Sequence, residues 1–383
     1  MKTLLKVLET ITEKLLMASG YITSITIILM VVFLFREGAG LFNTPDIEEG
    51  YVLAVNRENP VQKLSPQQVM QVFDGDIASW GTLGWGGGDS IRLFRLDDIT
   101  AYATPEELGE KLENVPQCLS RIVASHKNII AYLPKQLIAE DFAGRILDEG
   151  KITPASFLGG KLWYPTAQPA PQFGVLPLIL GTLWVSIAAI LIALPFGLAV
   201  AIYMAELAGH RLRNLLKPVI ELLAGIPSVV YGFFGLVVIV PLVQRTFSLS
   251  VGETGLAGAV ILAIMALPTI ITVAEDAIRN TPRAMKESSL ALGATHWQTI
   301  RKVVIPYSIS GITAAVVLGI GRALGETMAV LMVTGNAAVM PHTPAGGAHY
   351  EALFLLGCIL FLLTLVISIS VEMINAKRPK QSV

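Results

Sequence analysis

Glu287-Ser288-Ser289-Leu290-Ala291-Leu292-Gly293, followed by Val303-Val304-Ile305-Pro306, lies in a basic stretch between two apolar runs. Just ahead of it, Thr281-Pro282 supplies a helix start, with a hydroxyl at the N-cap and a proline in the first turn. A short helix over Ala284 to Leu292 follows, and Gly293 ends it because glycine tolerates positive φ. Thr295-His296-Trp297-Gln298 has the spacing of a capping box, so a second helix starts almost at once and runs toward Pro306. Two short helices with a sharp bend between them are therefore expected, flanked by membrane spans.

Mean hydropathy is +0.62, 53% of residues are hydrophobic and only 15% are charged, which suits a multi-span membrane protein with one polar domain. Six segments reach the roughly 20 apolar residues that a crossing helix needs. They are 16–35, 175–207, 218–243, 256–274, 307–333 and 352–373. Pro195 and Gly197 predict that the second of these kinks or projects beyond the lipid. The first apolar run is long and lacks a small-residue cleavage site, so it reads as a true span rather than a signal peptide.

Lysine and arginine in the short loops set the orientation. Lys2, Lys6 and Lys14, then Arg211, Arg213 and Lys217, then Arg279, Arg283, Lys286, Arg301 and Lys302, and finally Lys377, Arg378 and Lys380 mark one side. The opposite short loops hold only Arg245 (244–255) and none (336–351). Six spans with both ends inside the cell are expected, and 37–174 outside. The two cysteines, Cys118 in that insert and Cys358 in the last span, form no disulfide framework.

The insert is acidic: 46–161 holds 17 Asp and Glu against 11 Lys and Arg, while the whole chain is at −1. It attracts anions poorly. Strands are expected at 51–55, 91–95 and 128–133. A helix over 67–73 is capped by Ser65-Pro66 and closed by the Asp74-Gly75 turn, and 105–112 is a further helix. Trp85-Gly-Gly-Gly88 is a turn; without a following Gly-Lys-Ser/Thr helix it is no phosphate loop.

Set between spans, the 287–306 stretch resembles the E-A-A…G…I-x-L-P loop of ABC importer permeases. Glu287, Gly293, Val303 and Ile305-Pro306 stand at the matching positions, and Ser288 and Ser289 replace the family's two alanines. The resemblance implies a coupling loop over 281–300 that docks into a groove on a cytoplasmic ATPase. On the residues alone, an amphipathic connector is the plain alternative. Asn59-Pro-Val-Gln-Lys-Leu-Ser65, Val72-Phe-Asp-Gly75, Ile77-Ala-Ser-Trp80 and Ile129–Pro134 in turn resemble segments of periplasmic phosphate-binding proteins. Their phosphate-holding Ser-Gly-Thr loop is missing, and Arg95-Leu-Asp-Asp98 sits where it would fall. That pattern implies a shrunken relative without ligand competence, kept for docking or structure.

Gly321-Arg322-Ala-Leu-Gly325-Glu326-Thr327-Met-Ala-Val330 lies in the fifth span. Arg322 is roughly 24 Å along a helix from Pro306, beyond the midplane. A charge on the lipid face there costs several kcal/mol, so both charged groups are expected to face the bundle interior. Arg322 and Glu326 are four apart, one turn above the other, and can pair. They either pin helix packing, or Arg322 offers its planar guanidinium to an oxyanion in transit while Glu326 stops it becoming a trap. The stretch resembles the R-A-L-G-E-T-M-A-V signature of PstC-type phosphate permeases. Phe173–Pro177 with Gly181–Ser186 resembles the start of their second span, and Ala224–Gly232 resembles their third span. Gly225, Pro227 and Gly232 invite a break in the third span, where freed amides and Ser228 could donate to an anion lining a cavity. Thr182 and Ser186 share a face, although such hydroxyls more often bond back to helix carbonyls. His342 and His349 are too sparse for a metal site, and Glu275-Asp276 read as interfacial acids beside the coupling loop.

No nucleotide loop, nucleophile–base arrangement, metal cluster or nucleic-acid module is visible, so the chain is not expected to be an enzyme. The expected fold is an all-α polytopic membrane protein of the type I ABC importer permease kind. It has six transmembrane helices with both ends inside and an α+β extracytoplasmic insert between helices 1 and 2. The expected divisions are 1–36, the insert 37–174, the permease core 175–375 and the tail 376–383. The resemblance implies a permease subunit of an ATP-driven phosphate importer in the cytoplasmic (inner) membrane, with no cofactor. Implied partners are a PstA-type permease, a PstB-type ATPase dimer and a PstS-type binding protein. The implied path residues are Arg322, Glu326, Thr327, Ser228, Thr182 and Ser186, and the implied coupling residues Glu287, Ser288, Ser289, Gly293, Ile305 and Pro306. A permease for another oxyanion, or a membrane-anchored docking or sensor protein, are the alternatives.

Overall fold

The computed structural model describes residues 2–85, 90–109, 112–335 and 347–376. The triple-glycine turn, His342 and the basic tail from Lys377 onward lie outside those residues. Among the described residues, six helices are long and apolar enough to cross a membrane: Thr10–Asn43, Leu176–Leu207, Ser228–Phe247, Gly255–Arg279, His296–Leu324 and Ala348–Ser370. The chain divides into two compact units, residues 1–177 with 339–358 and residues 178–338 with 359–383.

In the first unit α1 (Lys2–Ala39) is longer than the expected span, because its polar opening turns continue the same helix. The insert then runs β1 (Tyr51–Val55), α2 (Pro66–Phe73), β2 (Arg92–Arg95), α3 (Pro105–Leu108), α4 (Val115–Ser125), β3 (Ile129–Pro134), β4 (Arg145–Ile146), α5 (Pro154–Gly159), β5 (Trp163–Tyr164) and β6 (Gln172–Phe173). Four strands form a sheet in the order β2-β3-β1-β4, with β2 parallel to β3 and the other pairs antiparallel. Alternate residues of the two central strands enter two separate cores. Val52, Ala54, Ala131 and Leu133 meet Leu119, Ile122 and Val123 of α4 on one face. Leu53, Val55, Ile130 and Tyr132 meet Val69, Val72 and Trp80 on the other. Strands covered on both faces read as unbroken apolar runs, which is why 51–55 and 129–133 were legible. The capping box at Ser65 and Gln68 starts α2 as expected. The helix expected over 105–112 stops at Leu108, where Gly109 turns the chain.

The second unit carries α6 (Leu176–Ile202), α7 (His210–Ala224), α8 (Ser228–Phe234), α9 (Val240–Phe247), α10 (Gly255–Arg279), α11 (Arg283–Ala291), α12 (His296–Thr299), α13 (Ile305–Leu324), α14 (Met328–Thr334) and the later part of α15 (Ala348–Ala376). π-helical turns at 203–207, 235–239 and 300–304 extend α6 and join α8 to α9 and α12 to α13. α10 is the hub, burying Ala257, Gly258, Ala259, Ala263, Ala266 and Ala274 along its length. Small side chains let backbones approach closely, the packing mode available where lipid removes the hydrophobic drive between helices.

Two expected spans need correction. The third does not begin at Pro218. Residues 210–224 form a separate amphipathic helix, and the chain breaks at Gly225-Ile226-Pro227, since proline has no N–H and disfavours helix in the residue before it. The fifth does not run unbroken to Val333: it starts at His296, ends at Leu324 and restarts as α14 after Gly325-Glu326-Thr327. Pro195 sits within α6 and Pro268 within α10 without ending either helix.

Candidate functional site

The 281–306 hairpin forms much as its residues dictate. α11 ends in a Schellman motif: Gly293 N–H donates to the Leu290 carbonyl (2.9 Å) and Ala294 N–H to the Ser289 carbonyl (3.2 Å), with Gly293 at φ +85°. Thr295 and Gln298 close the capping box reciprocally, at 3.3 and 2.9 Å. Ser289 and Thr299 share a hydroxyl–hydroxyl hydrogen bond of 3.0 Å, pinning one limb to the other. The Thr281 hydroxyl does not cap α11 as expected: the N-cap is Pro282, and Thr281 Oγ1 is buried without a partner. Glu287 and Ser288 are exposed, Ile305 is half-buried, and Pro306 follows the π-helical turn at 300–304 inside the continuous helical run His296–Leu324. Leu292 is 89% exposed, and Trp297 and Leu290 also stand free on the hairpin surface.

Two buried acids hold this end of the helices together. The Glu206 side chain, 6% exposed in the turn that ends α6, pairs with Lys286 of α11. Its backbone carbonyl lies 3.3 Å from His296 Nε2 of α12. Glu275, 1% exposed on α10, meets Arg213 at 2.7 Å, Lys217 at 3.1 Å and Arg279 at 3.8 Å, while Lys217 also reaches Asp276 at 3.0 Å. Read from sequence as an interfacial acid, Glu275 is instead the buried clasp that fastens α7 to α10. Glu206 was missed, because a lone acid at the end of an apolar run gives no local sign of its partners.

The second region lies where the broken spans meet. Tyr231 of α8 donates its hydroxyl to the Leu223 carbonyl at 2.8 Å, spanning the 225–227 break. Tyr231, Ala329 and Val333 pack with Ile261 and Met265, so α8 and α14 share one core on α10. Arg322 ends α13, half-buried, with its Nε buried and without a hydrogen-bond partner, and Tyr231 lies within its electrostatic reach. The expected Arg322–Glu326 pair does not form among the described residues. Side chains four apart stack only on a continuous helix, and this one breaks between them. Glu326 instead accepts from Ala329 N–H at 3.2 Å, at the positive end of α14. Thr327 is exposed at the start of α14, and Ser228 is half-buried at the start of α8. On α6, the Thr182 hydroxyl bonds back to the Leu178 carbonyl at 2.8 Å, and Ser186 is buried.

Residues 193–379 match the family described as binding-protein-dependent transport system inner membrane component. The probable ABC transporter permease protein YqgH of Bacillus subtilis (strain 168) is 41% identical over 246 residues, 59% of this chain and 79% of that protein. The phosphate transport system permease protein PstC of Mesorhizobium japonicum is 39% identical over 249 residues, 55% of this chain and 75% of that protein. Among solved structures, the inward-facing MetNI methionine ABC transporter is similar at 21% identity and TM-score 0.45, over 53% of this chain and 94% of that chain.

Proposed function

The chain belongs to the binding-protein-dependent transport inner membrane components, in their PstC-type group, and on that premise we propose that it conducts phosphate within an ATP-driven importer. As such it is a multi-pass permease subunit rather than an enzyme; hydrolysis belongs to partner subunits. The observation that carries the substrate reading is Arg322, a guanidinium with a buried, unpartnered nitrogen at the junction of two broken spans. A buried donor left open costs free energy unless something fills it, and an oxyanion matches the planar fork. Glu326, held at the start of α14, keeps a negative charge close in sequence without saturating the arginine. That arrangement suits transit better than tight capture. Thr327 and Ser228 stand at the openings of the two restarted helices, and Ser186 and Thr182 on α6 complete the proposed path.

The exposed hairpin, with Glu287, Ser288, Ser289 and Gly293 before the Ile305-Pro306 entry to α13, is the coupling surface for an ATPase. Closure of an ATPase pair pushes the 281–300 loop and rocks the helices, so that phosphate passes inward. In this reading both chain ends face the cytoplasm, and the 37–174 insert lies outside, where it docks a binding protein or serves structure. A PstA-type permease, a PstB-type ATPase pair and a PstS-type binding protein complete the complex.

Uptake of radiolabelled inorganic phosphate by cells carrying Arg322→Gln tests the path. Uptake is expected to fall to background while the variant still co-purifies with its ATPase. Unchanged uptake would remove the substrate role. Competition by sulfate, molybdate or phosphonate as strong as by phosphate itself would assign the permease to another oxyanion.

A further inference from the structure

The hairpin is covalently continuous with α10 on one side and with α13 on the other, through 280–282 and 300–304. It has no such connection to α6. Ala201 of α6 shares an apolar cluster with Val304 at the hairpin's exit, and the polar link is made by Glu206. Glu206 engages both limbs: its carboxylate takes Lys286 of α11, and its carbonyl faces His296 of α12. The residue stands in a π-helical turn, where the wider coil re-aims side chains relative to a regular helix and where functional positions concentrate. The Ala208 N–H closes that turn onto the Tyr203 carbonyl at 2.7 Å. With its side chain only 6% exposed, the ion pair is poorly screened, so separating Glu206 from Lys286 strands a buried charge. The two therefore move together or not at all.

We propose that Glu206 is the positioning residue that delivers movement of the hairpin to the second span, making that span follow ATP hydrolysis. The inference rests on the coupling role given above to the hairpin. Without this link, only apolar packing on α10 and α13 carries the hairpin's movement to the cytoplasm-proximal end of α6, which bears Thr182 and Ser186 further along, and that span follows less closely. Hydrolysis then continues with less transport.

The test uses the complete complex with its ATPase subunits, reconstituted in vesicles, with inorganic phosphate counted per ATP hydrolysed. Glu206→Gln and Lys286→Met are each expected to lower that ratio roughly tenfold, within the range that coupling free energies span. The charge exchange Glu206→Lys with Lys286→Glu is expected to restore at least about half of it, which loss of fold alone would not permit. Leu292→Cys, added to each variant, is cross-linked to the ATPase. A full phosphate-per-ATP ratio in both single variants overturns the role of Glu206, as does a charge exchange that recovers nothing. Failure of the cross-link in the otherwise unaltered complex overturns the coupling reading itself.

Discussion

Two kinds of buried charge coexist in the helical unit, and they are treated in opposite ways. Glu275 is met by three cations, and Glu206 by a lysine with a histidine beside it. Arg322, half-buried in the last turn of the fifth span, has a buried Nε without a hydrogen-bond partner and, among the described residues, no ion pair. Desolvation penalises all of these groups. Where partners crowd around the charge, the effect is mechanical: helices that share no loop are fastened together. Where they are withheld, the path proposed above gives the place to a visiting ion. Burial alone therefore does not tell a fastening from a place held open for a ligand; the partners around the charge do.

That contrast can be broken at several points. Glu275→Gln leaves the largely buried Arg213 without its carboxylate while Lys217 keeps Asp276, so it is expected to cost about 3 kcal/mol, read as a fall in the thermal unfolding midpoint of the solubilised complex. Should the midpoint stay put, Glu275 is not a clasp. Arg322→Gln is expected to lower phosphate uptake by about two orders of magnitude or more, a loss typical of removing a donor aimed at an oxyanion. The same midpoint should barely move, because no ion pair is lost; a fall like that of the Glu275 variant would place the two charges in one class. Gly293→Ala should cost about 1–2 kcal/mol, because a Cβ is forced into a positive-φ position. The loss should appear as faster proteolysis within 281–300 and leave the rest of the chain unchanged. Smallest of all, Gln298→Ala removes half of the capping box and should cost about 0.5–1 kcal/mol, with hydrogen exchange quickening only at α12.

The sequence was most legible where local rules decide the outcome. Gly293, Thr295 and Gln298 announce the bend because caps depend on residues within one turn. The apolar runs announce β1, β3 and the six crossing helices for the same reason. The reading failed where averages hide punctuation. Val219–Leu223 is apolar enough to extend a hydropathy window back to Pro218, although Arg213 and Lys217 tether that helix to α10. Gly325 is one glycine among several, and nothing in its neighbours distinguishes a helix end from a packing notch. The pairing expected of Arg322 and Glu326 presumed an unbroken helix and failed with it. α4 could have been found: Val115, Cys118, Leu119, Ile122 and Val123 follow a helical period after Asn114, with Pro116 in the first turn. Glu206 could not, since its partners lie 80 and 90 residues away.

One apolar contact carries its own consequence. Ile270 of α10 is wedged between Gly197 of α6 and Gly319 of α13: a Cβ built on either glycine would come within 2.9 or 2.8 Å of its branches. Three crossing rods are thus notched around a single peg. Sliding any of them lengthwise would drive the peg out of its notch, whereas tilting about that level disturbs the fewest neighbours. The peg acts as a fulcrum, setting the depth about which the rods can swing.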